Sequence, residues 1–186
     1  MFYKNKLSLG ILLMGLSLMA GAKEYTKLAD DSYIQFSGVQ NKKNTFTGHF
    51  ESFEVNADFD NNNLEQSKIN VTVDLASVES GSSKRDSMLK KNNWFDVQNT
   101  PRSYFKSTSI KAVSDDTYEL AGELKIKEIT RPYSFRIEIR ELVDLLQLSG
   151  KLTINRLDFE LGLGSWKNPD WVRHEVEVKF DIAVKP

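Results

Sequence analysis

The chain has 186 residues with 40% hydrophobic and 27% charged side chains, which suits one globular domain able to bury a core. Its formal charge is −1 with no basic cluster, which argues against a nucleic-acid partner. It has no cysteine, which excludes disulfides and thiol chemistry, and its two histidines, His49 and His174, have no acid or histidine at ligand spacing, so no metal is expected.

The order of residues 1–22 is basic, apolar, then small: Lys4 and Lys6, a run from Leu7 to Ala20, then Ala20-Gly21-Ala22. That is the order of a secretory signal peptide, and the run is shorter than the roughly 20 residues a spanning helix needs. Cleavage after Ala22 is expected. It takes two lysines and no acid and leaves a charge of −3 on one domain, residues 23–186.

The domain then reads almost entirely as strands of period two. Ile34 and Phe36 share a face, as do Phe46 and Phe50; Phe53, Val55, Ala57 and Phe59 share the next, with a phase slip between Phe50 and Phe53 that calls for a bulge or turn. Asn61-Asn62-Asn63 supplies a turn, and Asp58 and Asp60 beside it read as a solvated turn entry, not a carboxylate pair. Ile69, Val71, Val73 and Leu75 form another face.

Residues 71–108 hold the one departure from strand rhythm. After Ser and Gly, Ser83 caps a short helix through Lys84 to Leu89, followed by Trp94-Phe95 and Pro101. Arg85, Met88 and Leu89 fall on one side of it. Strand rhythm resumes around Phe105, where the alternation does not say which face turns inward. It continues through Leu120 to Ile126, Tyr133 to Ile139, Leu152 and Ile154, and Val176 to Ile182; Glu141 to Leu148 has the composition to start as a helix.

About eight one-sided strands joined mostly by short turns imply an all-β fold in which an antiparallel sheet closes into a barrel. A packed interior and an apolar pocket use the same residues, and both readings stand on pattern alone. Trp166 and Trp171 belong to the turn-rich GSWKNPDW loop, which gates a pocket or plugs one end; plugging is the expectation for Trp166. The chain carries no nucleophile elbow, phosphate loop or dinucleotide fingerprint, so an enzyme is not expected.

Several short stretches in one order resemble the YceI-like family of exported, polyisoprenoid-binding proteins. They are Thr47-Gly48-His49-Phe50, Val73-Asp74-Leu75-Ala76-Ser77-Val78, Arg85-Asp86 with Leu89, Trp94-Phe95-Asp96, Pro101 with Phe105-Lys106-Ser107-Thr108, Gly122-Glu123-Leu124, Thr130-Arg131-Pro132, and Asn155-Arg156 with Phe159. The resemblance implies a lipocalin-like barrel with a helix across one side, enclosing the prenyl tail of a quinone-like or other isoprenoid lipid. The same resemblance implies a non-enzymatic periplasmic carrier, without a cofactor beyond that ligand, that touches the membrane transiently as a monomer or homodimer. The rival readings are a stress-response or interaction barrel without ligand and a quinone-linked redox accessory.

On that reading Phe36, Phe50, Val71, Val73, Phe135, Ile137, Val178 and Phe180 line the tunnel, and Trp94 and Phe95 narrow it beside the insert. Arg85 and Leu89 then belong to a lid over it, Arg85 near the head group; the plainer alternative has Leu89 sealing the barrel and Arg85 paired with an acid. Glu128 and Glu160 stand where relatives carry glycine. Either is costly if its turn needs a positive φ.

Overall fold

The computed structural model describes residues 23–186; the expected signal peptide lies outside them. Twelve strands form one antiparallel sheet. In chain order they are β1 (Lys23–Tyr25), β2 (Lys27–Leu28), β3 (Tyr33–Gln40), β4 (Asn44–Phe50), β5 (Phe53–Phe59), β6 (Lys68–Asp74), β7 (Val78–Glu79), β8 (Arg102–Ser114), β9 (Thr117–Ile126), β10 (Ile129–Glu141), β11 (Leu146–Asn155) and β12 (Glu175–Lys185). One helix, α1 (Ser83–Leu89), lies between β7 and β8.

The ladder runs β1-β5-β6-β8-β9-β10-β11-β12-β3-β4-β7, with β2 on β12. β4 and β5 stand near opposite ends of that order, yet only Glu51 and Ser52 separate them in the chain. The sheet must therefore curl back on itself, and it forms a half-barrel whose two ends meet at a corner. There Glu51 N–H donates to Ser77 O at 3.2 Å and Asp74 N–H to Ser52 O at 3.0 Å. The phase slip expected between Phe50 and Phe53 is this corner.

Burial follows the alternation. Val55, Ala57 and Phe59 are buried while Glu54, Asn56 and Asp58 are exposed. In β8 the inward set is Ser103, Phe105 and Ser107, and it passes to Ile110 through a register shift between Ser107 and Ser109. The extra residue at that shift is why the face around Phe105 does not show in the alternation. Ser107 Oγ fills the interruption by accepting from Ile69 N–H at 2.8 Å.

Two expectations are corrected. The stretch 141–148 does not start as a helix: Glu141 is still paired with Leu146, and a tight loop closes with Leu142 N–H donating to Leu145 O at 2.9 Å. Cross-strand pairing here overrides a modest helix propensity. The cap of α1 is Ser82, not Ser83; Ser82 has extended backbone and its Oγ accepts from Arg85 N–H at 3.4 Å.

Of the two glutamates at family glycine positions, Glu160 does take a left-handed φ of 55°, ending the turn Arg156–Phe159. At the β9–β10 turn the positive φ, 54°, falls on Lys127 instead of Glu128. Each left-handed non-glycine residue costs about 1–2 kcal/mol, which the surrounding ladder absorbs.

The core divides into two clusters. One includes Tyr25, Val55, Phe59, Ile69, Tyr118, Leu146 and Val184; the other includes Phe36, Leu75, Leu89, Trp94, Phe95, Phe159 and Val172. Phe50 and Val178 pack against both. The insert and the loop after β11 therefore cover one end of the half-barrel with their own apolar residues.

Candidate functional site: an apolar cavity and its basic mouth

Between the two clusters lies a cavity of about 180 Å³. Among the described residues that line it, only Ser103, Arg156 and the indole N–H of Trp94 bring polar side-chain atoms. The wall has this shape because glycines face phenylalanines across the strands. A Cβ at Gly48 would collide with the Phe36 ring, and one at Gly38 would stand 2.8 Å from Phe46, one at Gly122 2.5 Å from Phe105 and one at Gly150 2.9 Å from Phe180. Each ring thus lies over bare backbone, against the wall, and leaves room in the middle.

Eleven of the twelve sequence-predicted residues stand on the cavity wall: Phe36, Phe50, Val71, Val73, Leu89, Trp94, Phe95, Phe135, Ile137, Val178 and Phe180. Phe135 bridges Phe105 and Phe180 at ring distances of 5.6 and 6.1 Å, and Phe50 bridges Phe36 and Phe95 at 5.5 and 5.9 Å. Arg85 stands apart, in a second hollow of about 220 Å³ at the end covered by α1 and the GSWKNPDW loop. Phe46, Leu89, Trp94 and Val172 line both spaces, so this hollow is the cavity's mouth.

Among the described residues Arg85 does not form the ion pair that is the plainer of the two expectations for it. Its Nη1 donates to Ser80 O at 3.0 Å and Ser80 Oγ at 3.2 Å, and its guanidinium lies 5.0 Å from the centre of the Phe46 ring. The neighbouring Asp86 is buried and accepts from the Ser80 hydroxyl at 2.5 Å, so the acid next in sequence is turned to a neutral partner. Trp166 half-plugs the mouth, edge-on to Trp94 at 6.0 Å, whereas Trp171 is 56% exposed.

Arg156 is the structural residue missed as such in the sequence. It is fully buried, and its guanidinium donates to five carbonyls of the mouth loop: Arg173 at 3.0 Å, Leu161 at 2.6 Å, Gly162 at 3.0 Å, Trp166 at 2.5 Å and Val172 at 2.8 Å. It also lies 5.4 Å over the Trp94 ring. Burial lowers its pKa, yet an arginine starts so high that it stays charged. The only sequence signal was its place in the Asn155-Arg156 match.

The loop it holds is joined to the insert by Gly162 N–H donating to Asn93 O at 2.7 Å. Trp94 Nε1, between these parts, is buried without an acceptor. Elsewhere, His49 is an outward residue of β4 opposite Gln35 and Glu79, and His174 Nε2 lies 2.8 Å from Lys167 O. Among the described residues no helix is long and apolar enough to cross a membrane.

The model of the YceI-like domain matches residues 25–184. The chain belongs to the YceI-like family. A UPF0312 protein of Ectopseudomonas mendocina is 29% identical to this YceI-like chain over 132 residues, 69% of each, and one of Azotobacter vinelandii is 29% identical over 128 residues, 68% of this chain and 66% of that protein. The chain thus spans about two thirds of the length of these relatives. Among solved structures, Burkholderia cenocepacia BcnA is similar with a TM-score of 0.78 and 25% identity, over 82% of this chain and 95% of that one. A polyisoprenoid binding domain from Saccharophagus degradans gives a TM-score of 0.71 at 16% identity, over 88% and 99%, a likeness of fold.

Proposed function

We propose that this YceI-like protein binds an isoprenoid lipid, quinone-like or another polyprenyl compound, and carries or buffers it in the periplasm without altering it. The observation that carries the reading is the cavity wall: Arg156 already spends its donors on carbonyls, so the cavity offers little but apolar contact. Each five-carbon isoprene unit gains roughly 4 kcal/mol gross on leaving water, enough that two or three units outweigh much of the cost of immobilising the ligand. Membership of the family and the fold shared with a polyisoprenoid binding domain support the same ligand class.

The cavity of about 180 Å³ is below the roughly 300–1,000 Å³ of pockets for drug-sized ligands. The mouth hollow of about 220 Å³ extends the path into that range, so the ligand runs from the cavity out beneath the insert. The protein takes no cofactor on this reading, leaves the membrane after transient contact, and works as a monomer or homodimer.

Native mass spectrometry of protein from the cell envelope, followed by organic extraction, tests this. The expected result is cleavage after Ala22 and an intact polyprenyl lipid at one per chain. No lipid in the extract and no uptake of an added prenyl quinone would leave the packed-barrel reading in its place, and a converted product on long incubation would restore an enzyme.

A further inference from the structure

We infer that the loop carrying Trp171 is a docking face for an anionic membrane surface, which the protein meets with this end and not with the opposite one. The inference rests on the reading above and gives its transient membrane contact a face. Trp171 is 56% exposed and lines neither the cavity nor its mouth. Single exposed apolar residues are common. This one differs in how it is held and in what surrounds it.

The backbone beneath the indole is fixed on both sides. Trp171 O accepts from Asn41 N–H at 2.9 Å and Asp170 O from Lys42 N–H at 3.0 Å, while Arg173 N–H donates to Val39 O at 2.9 Å. The buried Arg156 guanidinium binds Val172 O and Arg173 O from within. An indole on such a frame loses little freedom when an apolar medium covers it. Lys42 holds a left-handed φ of 69°, where a glycine would be unstrained, and its turn sets Lys42 and Lys43 against the Trp171 loop.

Lys167 and Arg173 stand on the same loop, where Lys167 O lies 2.8 Å from His174 Nε2 and Arg173 Nη2 donates to Lys42 O at 3.3 Å. Lys42, Lys43, Lys167 and Arg173 are all exposed. Lys42 alone of the four forms an ion pair among the described residues, an exposed one with Asp170 at 3.7 Å that neutralises little. Asp170 and Glu175 are the acids in the hollow shared with Lys42 and Arg173, so cations prevail around the indole.

The other end of β11 has the opposite sign. The loops 60–67, 115–116 and 142–145 carry Asp60, Glu65, Asp115, Asp116 and Asp144 and no lysine or arginine. Tyr118 OH, donating to Asn61 Oδ1 at 2.8 Å, and Ile139 N–H, donating to Asp116 O at 2.9 Å, tie these loops together. Leu142 and Val143 are exposed there too, but among carboxylates that an anionic surface repels. The charge distribution therefore turns the Trp171 end toward such a surface, where an indole settles at head-group depth and lysines are attracted.

Co-sedimentation of the exported protein, freed of prenyl lipid, with phosphatidylcholine vesicles containing or lacking about one third phosphatidylglycerol tests this. The expected result is binding to the anionic vesicles alone, lost as salt rises, with a blue shift of tryptophan emission that is absent in Trp171→Phe. Trp171→Ser should weaken vesicle binding about fivefold or more, and Lys42→Gln with Lys43→Gln about tenfold or more, whereas Leu142→Ser with Val143→Ser should bind as the parent does. All these positions are exposed, so the variants keep the parent's fold. Equal binding to both vesicles, binding to neither, or a loss in the Leu142 and Val143 variant without one in Trp171→Ser overturns the face. Dimerisation that Trp171→Ser abolishes, in protein that ignores vesicles, overturns it in favour of a second copy. No prenyl ligand is present in these measurements, so their failure leaves the isoprenoid reading standing.

Discussion

Arg156→Met should remove most of the stability of this protein. The intact guanidinium is worth little net, because several kcal/mol of lost hydration offset its hydrogen bonds. Truncation is different, since it leaves the acceptors behind. The bonds to Leu161, Gly162 and Val172 are buried, and at about 1–3 kcal/mol for each buried acceptor left unpaired the three cost about 3–9 kcal/mol, against a total stability of about 5–15 kcal/mol for an ordinary domain. Arg156→Lys should fall between, since one ammonium has three donors for five carbonyls. Urea unfolding followed by tryptophan fluorescence measures both, and Trp94 and Trp166 beside the clamp report on it. A stability of the Arg156→Met variant within about 0.5 kcal/mol of the parent would refute the claim that these carbonyls depend on the guanidinium.

Phe180→Asp, on the cavity wall, should prevent folding or bring it to the edge of unfolding, while Lys179→Ala on the outer face should be silent within about 0.5 kcal/mol; equal urea midpoints would mean the faces of β12 are reversed. Leu89→Ala should shorten the retention half-time of a loaded prenyl lipid by more than its effect on the midpoint of delipidated protein accounts for, and equal half-times would end the idea that the insert is a lid. Glu160→Gly should raise the stability by up to about 1 kcal/mol by relieving the left-handed φ, and a fall of that size would show that the glutamate side chain holds the turn. Tyr25, buried and donating to Glu141 at 2.9 Å, has its pKa pushed up to about 12 by desolvation first and the carboxylate second. A raised pKa favours the neutral phenol in the fold, so this stability is complete below about pH 10 and is lost as pH rises toward about 12; Tyr25→Phe should flatten the alkaline fall, and a parallel loss in both proteins would show that Tyr25 does not drive it.

Most of the strand faces were legible because a one-sided strand repeats every second residue, and the corner at Phe50 and Phe53 was legible as a break in that repeat. The break at Ser107 and Ser109 was not, since both candidate faces there are serine and threonine and hydrophobicity does not separate them. Arg156 escaped for a different reason. A lone arginine after a strand reads as solvated, and its burial depends on carbonyls five to seventeen residues further on that curl round it. Helical spacing put Arg85 on one side of the insert with Met88 and Leu89, but the alternative of a nearby acid as its partner gave way to Ser80, whose hydroxyl donates to Asp86 and whose oxygens accept from Arg85, a competition no charge pattern reveals.

The wall residues themselves were ambiguous between packed core and pocket, and the decision lies in their partners. Phenylalanines pointing at one another would have filled the half-barrel; here Phe36, Phe46, Phe105 and Phe180 are each received by a glycine on the adjoining strand. The missing Cβ lets each ring recline, so the large side chains that ought to close the interior are the ones that keep it open. The rule gives Gly48 a role beyond its place in the sheet: a methyl there, colliding with the Phe36 ring and 3.1 Å from the Glu79 carbonyl, must drive the ring toward the cavity. Ring displacement takes volume from a space of about 180 Å³ that has little to give, so Gly48 is held by the room a tail needs as much as by the sheet.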